Sequence, residues 1–263
     1  MEQLYPTNAH QRLRVLTVNI QAGLSTRRYI DYVLRGLTHA LPIAFAQQRA
    51  SLNTIAALAS QHDIVGIQEC DPGSLRSGFT NQTHYLAAEA AFAHWTHQLN
   101  RRTGFIASSA NALLSKLPPY HAQSYALPGR IKGRGMLVAK FGEGKNGLAV
   151  AVTHLSLGSK ARKLQFAFIA EILHDHPNAI LMGDFNCTID HPDMQILFDR
   201  TGFRRPTHPL LTFPSWQPRR AIDHILVSGI VQILHITTTP AAFSDHLAIS
   251  VTIDLPCAIL RKE

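Results

Sequence analysis

The stretch that most constrains the fold is Leu-Met-Gly-Asp-Phe-Asn at residues 181–186, which overlaps the apolar run at residues 179–182. A short apolar run bounded by turn residues predicts a buried strand. A carboxylate directly after such a strand is costly unless another group pairs with it. We therefore expect Asp184 to lie at a strand end beside a partner, where α/β enzymes place their chemistry.

Polar side chains also follow or adjoin other apolar runs of this chain. The runs at residues 13–20, 64–68, 148–153 and 222–227 read as strands, and so does the run at residues 247–255. So many polar strand ends in one chain predict that these side chains meet in a single active site. The side chains concerned are Asn19, Glu69, His154, Asp184, Asp223, Asp245 and His246.

Helices and turns are predicted between these runs. No linker or repeat interrupts the pattern, so one domain over residues 1–263 is the expected organisation. Residues 26–41 read as either a helix or a rim loop. The predicted helices cover residues 45–60, 85–92 and 161–173, the predicted hairpin joins residues 136–141 and 148–153 through a glycine-rich turn, and residues 206–218 are predicted to be irregular.

The composition is that of a globular enzyme with a basic balance. A hydrophobic fraction of 46% suffices for a sizeable core, and the net charge of +8 indicates either an anionic substrate or surface, or simple solubility. Neither a signal peptide nor an apolar run of about 18 residues is evident. A cytoplasmic location without a membrane span is the expectation.

The polar strand ends supply chemistry suited to phosphoesters. Their carboxylate and amide oxygens are the hard donors that Mg²⁺ or Mn²⁺ prefers. Imidazoles at His154 and His246, with basic side chains at Arg130, Lys132 and Arg134, add groups that neutralise phosphoryl charge. A serine hydrolase is not supported, because the chain has no G-x-S-x-G motif.

Six short blocks resemble the endonuclease/exonuclease/phosphatase (DNase I-like) superfamily, particularly its uncharacterised bacterial members. The resemblance implies a four-layer α/β sandwich, with two mainly antiparallel β-sheets packed face to face and helices outside. It also implies dependence on Mg²⁺ or Mn²⁺ and an active site at one end of the sheets. The blocks are residues 17–20, 67–69, 153–155, 183–186, 222–225 and 244–246, in the family's order.

The resemblance also assigns roles to the metal-side residues. Glu69 would be the principal metal ligand, and Asn19 would assist it. Asp245 would lie at the metal side, either as a direct ligand or through water. The number of metal ions, one or two, stays open.

The remaining roles concern water and phosphate. Asp184 would activate or orient the attacking water, and Asn186 would position that water and the phosphate. His246 would contact the scissile phosphate, while Asp223 would hydrogen-bond its imidazole. His154 matches the nuclease and sphingomyelinase pattern, in which an imidazole touches the phosphate.

The substrate is left open by the sequence. Arg130 and Arg134 are either phosphate clamps or surface charges, and Asn111 either supports the substrate side or caps the structure. The first reading is a metal-dependent phosphodiesterase or phosphatase with an anionic phosphoester substrate. The alternatives are an endonuclease or exonuclease acting on DNA or RNA, a lipid phosphodiesterase at a membrane surface, and a catalytically silent binding module. No protein partner is implied.

Overall fold

The computed structural model describes residues 10–23, 42–130, 132–144, 146–240 and 243–260. The strands of these residues are β1 His10–Asn19, β2 Ile64–Cys70, β3 His94–Thr103, β4 Ala107–Ser115, β5 His121–Ala126, β6 Gly135–Phe141, β7 Leu148–His154, β8 Asn178–Asp184, β9 Asp223–Val227, β10 Gln232–Thr239 and β11 Ala248–Pro256. The α-helices are α1 Pro42–Ala59, α2 Gln82–Glu89, α3 Ser159–His174 and α4 Gln195–Arg200. Short 3₁₀ turns cover Gln21–Gly23, Leu75–Ser77, Pro192–Met194 and Cys257–Leu260.

The strands form two sheets. One has the order β10-β11-β1-β2-β4-β3 and the other the order β5-β6-β7-β8-β9. Neighbouring strands are antiparallel except in two pairs, β1–β2 and β7–β8, which are parallel. The β8–β9 pairing sets Asp184 directly opposite Asp223.

The sheets pack face to face, and the helices cover their outer faces. Val15 and Leu113 of one sheet meet Val150 and Met182 of the other in the central core. A Cβ at Gly66 would lie 2.7 Å from the Met182 methyl group, so this glycine permits the close approach of the sheets. The predicted four-layer sandwich is confirmed.

Each outer layer is an amphipathic helix pair on one sheet. In α3 the buried positions, from Arg162 through Gln165, Phe166 and Ile169 to Leu173, recur every three or four residues and define one apolar face with a polar end. Helices α1 and α2 pack on β1, β2 and β4, and helices α3 and α4 pack on the five-stranded sheet.

The sequence predictions locate most elements but miss four strands. Strands β3, β5 and β10 lie at sheet edges and have many exposed polar residues. Strand β4 is almost wholly buried, and its sequence lacks the alternation of polar and apolar residues that marks a half-exposed strand. Helix α2 spans Gln82–Glu89 rather than residues 85–92. Residues 26–41 lie outside the described residues. Across the described ranges, no helix combines the length and apolarity needed to cross a membrane.

Candidate active site

The carboxyl ends of four strands meet at one edge of the sandwich, here called the site edge. Because β1 and β2 are parallel, as are β7 and β8, their final residues share that edge. They deliver Asn19, Glu69, His154 and Asp184. The Asn19 amide nitrogen donates a 3.2 Å hydrogen bond to Asp184 Oδ2, which joins the two sheets.

Asp184 lies at the centre of this cluster and is buried. Its Oδ1 accepts a 2.9 Å hydrogen bond from the backbone N–H of Asn186, and its Oδ2 lies 3.4 Å from His154 Nε2. Burial raises the pKa of the Asp184 carboxyl to about 7, although the charge of His246 opposes that shift. A carboxyl with such a pKa can exchange a proton near neutral pH.

Asp223 and His246 complete the centre. His246 Nδ1 lies 2.8 Å from Asp223 Oδ2, and His246 Nε2 lies 3.8 Å from Asp184 Oδ2. One ligand atom from each of these three residues lies within 4.8 Å of the others. Two carboxylates and an imidazole therefore surround a small volume at the end of β8.

The two imidazoles of the site differ in charge. Burial lowers the pKa of His246, but the carboxylates of Asp223 and Asp184 outweigh it and raise that pKa to about 10. Burial, together with the charges of Arg134 and His246, lowers the pKa of His154 well below its ordinary value. At neutral pH His246 is a cation and His154 is neutral, so their environments suit them to different tasks.

Glu69, Asp245 and Arg134 form the mouth of the cluster. The Glu69 side chain is 35% exposed, and its Oε1 lies 3.7 Å from His154 Nδ1. Burial raises the pKa of the Glu69 carboxyl, and the charge of Asp245 raises it further. Burial also raises the pKa of Asp245. Burial lowers the pKa of the Arg134 guanidinium, and the nearby carboxyls of Glu69 and Asp184 oppose this shift.

This donor set fits a hard divalent cation. Four carboxylates, those of Glu69, Asp184, Asp223 and Asp245, share the site edge, and three of them have raised pKa values because they are desolvated. Carboxylates buried close together repel one another unless a positive charge stands among them. Oxygen donors in such a cluster match the preference of Mg²⁺ or Mn²⁺.

The backbone of the site edge is strained at two of the predicted site residues. Glu69 and Asn186 have φ angles of 60° and 54°, a region that side-chain-bearing residues rarely adopt. The β2–β4 register shifts between Ile67 and Cys70, which turns Glu69 out of the regular ladder. At Gly183 a Cβ would lie 1.9 Å from the Thr153 carbonyl oxygen, so only glycine fits before Asp184.

The remaining predicted residues either support the cluster through hydrogen bonds or lie outside it. Asn186 donates its side-chain amide to the Leu155 carbonyl at 2.9 Å, which fixes the turn after Asp184. Asn19 Oδ1 accepts a 3.1 Å hydrogen bond from the backbone of Gln21. Asn111 is buried between the sheets and donates to the Gly135 carbonyl at 2.8 Å, beside Arg134 rather than within the cluster. Arg130 is exposed on the loop that leads to Arg134.

Two supporting residues, Thr212 and Phe213, are missed by the sequence reasoning because they lie in residues 206–218, which are predicted to be irregular. Thr212 donates its hydroxyl to Asp223 Oδ2 at 2.5 Å, and the Phe213 ring lies 4.9 Å from the His246 ring. Ser244 donates to the Asn19 carbonyl at 2.6 Å. These contacts hold the Asp223–His246 pair in place. The nearest sequence signal is the Thr-Phe-Pro-Ser stretch at residues 212–215, whose aromatic ring is flanked by hydroxyl groups.

Comparison with protein families agrees with this geometry. The family model described as Endonuclease/Exonuclease/phosphatase family matches residues 16–246, a span that contains every residue of the cluster. The chain therefore belongs to the endonuclease/exonuclease/phosphatase family, whose members are hydrolases of phosphoester bonds and generally use divalent metals. No curated protein matches the chain.

Solved structures show the same fold. The endonuclease/exonuclease/phosphatase from Beutenbergia cavernae has a TM-score of 0.68 at 20% identity, covering 93% of this chain and 72% of that one. The corresponding protein from Bacteroides vulgatus has a TM-score of 0.67 at 17% identity, with 92% and 98% covered. Sphingomyelinase C from Streptomyces griseocarneus has a TM-score of 0.61 at 16% identity, with 92% and 99% covered. The predicted resemblance is confirmed, and the similarity lies in the fold.

Proposed function

We propose that this protein is a divalent-metal-dependent phosphoesterase that hydrolyses its substrate with an activated water. The observation that carries the proposal is the placement of Asp184. This buried carboxyl, with a pKa of about 7, lies between a cationic imidazole and a neutral one. A base poised near neutral pH beside groups that neutralise negative charge is the arrangement that phosphoester hydrolysis requires.

Glu69, Asn19 and Asp245 would hold the metal, and Mg²⁺ or Mn²⁺ is the expected ion. When bound, such a cation polarises the phosphoryl oxygen and lowers the pKa of water. Glu69 and Asp245 lie at the mouth of the cluster, and the Glu69 side chain is the more exposed of the two.

Asp184 would accept the proton of the attacking water. Its orientation is set by the Asn19 amide and by the backbone N–H of Asn186. Asn186 is itself tied to the Leu155 carbonyl, so it holds the carboxylate aimed into the cluster. A fixed carboxylate gains most of its effect from positioning, since the water and the phosphate must meet in line.

Positive groups would bind the phosphate on the other side. His246 would donate a proton or a hydrogen bond to a phosphoryl oxygen, and Asp223 keeps its imidazole charged and oriented. His154 would offer a neutral N–H at the same phosphate. Arg134 would clamp a phosphoryl oxygen from the mouth, where its guanidinium faces Glu69 and Asp184.

The test is hydrolysis of bis-p-nitrophenyl phosphate by the purified protein in Mn²⁺, in Mg²⁺ and in EDTA. We expect turnover with either metal and none in EDTA. Release of phosphate from a monoester, p-nitrophenyl phosphate, measured beside it decides between diester and monoester hydrolysis. If calorimetry shows Mn²⁺ binding while neither ester is cleaved, and plasmid DNA, inositol phosphates and phospholipid vesicles are also untouched, the proposal is wrong and the chain is a silent binding module.

A further inference from the structure

Four exposed apolar residues lie in two adjoining segments at the site edge. Phe79, Phe105 and Ile106 are 66%, 64% and 56% exposed, and Leu75 is also exposed. Two backbone hydrogen bonds, from Leu75 to the Phe105 carbonyl at 2.9 Å and from residue 76 to the Ile106 carbonyl at 3.0 Å, join the two segments that carry them. These four residues are called the apolar tip.

The apolar tip extends beyond the catalytic cluster. Cys70, the residue after Glu69, is paired with Ala110 on β4. The β3–β4 hairpin continues three residue pairs past that point, to the pair Thr103–Ala107, before it turns. At about 3.4 Å per residue, the hairpin projects roughly 10 Å beyond the end of β2. Among the described residues, the tip therefore lies at the site edge and projects past the end of β2.

Phe79 is held in a conformation that its burial does not explain. Its φ is 60°, in the left-handed region that bulky residues rarely adopt, where its N–H closes a turn on the Ser74 carbonyl at 2.7 Å. Glycine would adopt this conformation without strain. Because two thirds of Phe79 is exposed, packing within the protein offsets little of the strain. An aromatic ring kept at such a position points to an external contact.

Basic residues flank the tip on the protein side. Arg101 and Arg102 are exposed at the end of β3, and the Arg101 stem packs against Gly133, whose Cβ would lie 3.1 Å from it. Aliphatic chains at Leu75 and Ile106 accompany the two rings. Acyl chains accommodate aliphatic and aromatic groups alike, whereas nucleic-acid bases stack only on the rings. An apolar point with arginines behind it matches an anionic lipid surface.

We infer that the apolar tip docks this protein on an anionic lipid bilayer, with its four apolar side chains among the acyl chains and Arg101 and Arg102 at the headgroups. Docking presents the phosphoester of a membrane phospholipid to the cluster at the strand ends. The substrate in this inference rests on the proposed function, whereas the docking itself does not depend on turnover.

The test is co-sedimentation with vesicles of phosphatidylcholine and phosphatidylglycerol in equal parts. The Phe79→Ser/Phe105→Ser protein should bind at least tenfold more weakly than the wild type, because two buried rings are lost from the bilayer. Arg101→Gln should weaken binding about fivefold, the effect of one basic residue at a membrane surface. Ile230→Ser is the control and should bind normally, since Ile230 is also apolar and exposed but lies at the opposite edge, beyond the end of β9.

A second variant separates docking from folding. Phe79→Gly relieves the left-handed strain, so its melting temperature should equal or exceed that of the wild type while its vesicle binding weakens. Its hydrolysis of bis-p-nitrophenyl phosphate should be unchanged, so failure of the proposed function and failure of docking are distinguishable. Absence of wild-type vesicle binding, or equal binding by the serine double variant, would overturn the inference. So would binding to a single-stranded oligothymidine that the double variant loses while vesicles stay unbound.

Discussion

The two edges of the sandwich differ in which residues adopt left-handed φ angles. At the far edge, the left-handed φ angles of the β6–β7 and β9–β10 turns fall on glycines, at Gly142, Gly144 and Gly229. Ala91, before β3, is a far-edge residue with a side chain in the same region. At the site edge, Glu69 and Asn186 adopt the same region despite their side chains. The β6–β7 and β9–β10 turns therefore form at little cost, whereas the site edge places two proposed site residues in a strained conformation.

Electrostatics repeat this contrast. Polar groups at the far edge are paired, as where the Asn178 amide bonds to the Asn146 carbonyl and Ser228 bonds to the Pro177 carbonyl. The charged group Asp63 is paired as well, with Lys116 Nζ 3.6 Å away. At the site edge the carboxyls of Glu69 and Asp184 are desolvated together, and their pKa values rise. Backbone strain and desolvated carboxyls therefore concentrate where a cation and a phosphoester would bind.

The largest expected effect is the loss of stability when a glycine of the site edge, rather than one of the far edge, is replaced. Gly183→Ala should destabilise folding by at least about 4 kcal/mol, because the new Cβ would lie 1.9 Å from the Thr153 carbonyl oxygen. Gly144→Ala, with open space around its Cβ, should cost about 1 kcal/mol for the left-handed backbone alone. Urea denaturation measures both. Similar losses in the two variants would show that the site edge is no more constrained than the far edge.

A smaller effect is expected at Glu69, where the loss of a proposed metal ligand can be separated from the relief of backbone strain. Glu69→Ala should weaken Mn²⁺ binding at least about tenfold, and excess Mn²⁺ should partly restore activity. Glu69→Gly should lose the same affinity yet be about 1 kcal/mol more stable than Glu69→Ala, because glycine adopts φ 60° freely. Calorimetry with Mn²⁺ and urea denaturation provide the two measurements. Glu143→Ala in the β6–β7 turn serves as the control, and Mn²⁺ affinity unchanged in Glu69→Ala would remove this residue from the ligand set.

The smallest expected effect is a dependence of stability on pH. The folded-state pKa of Asp184, about 7, exceeds its ordinary value of 3.8, so folding favours the protonated carboxyl. The stability it contributes is present at low pH and is lost as pH rises from about 4 through 7. In EDTA, the wild type should therefore lose on the order of 5 °C more in melting temperature between pH 5 and pH 8 than Asp184→Asn does. Parallel melting curves for the two proteins would contradict the raised pKa.

The sequence predicts the fold and the centre of the site because both depend on local signals. Apolar runs that end at Asn19, Glu69 and Asp184 mark strands whose carboxyl ends meet at the site edge. The edge strands β3 and β5 escape prediction, since an edge strand half exposed to water lacks the apolar run of a buried one.

The supporting contacts escape prediction for a different reason. Thr212 and Phe213 reach Asp223 and His246 only because a loop folds back over the end of β9, and neither residue type signals that contact in the sequence. Asn111 is ambiguous in sequence for the same reason. Its neighbour in space is the Gly135 carbonyl, which lies on another sheet. Contacts between sheets depend on tertiary packing rather than on a local pattern.

The most direct measurement compares kcat of the wild type and Asp184→Asn on bis-p-nitrophenyl phosphate in Mn²⁺, beside their circular dichroism spectra. Asparagine keeps the shape of Asp184 and one of its two hydrogen-bond acceptors, but it cannot take a proton. The account predicts a fall in kcat of at least about 10³-fold with unchanged spectra. A near-normal kcat in the variant would contradict the assignment of Asp184 as the group that activates water.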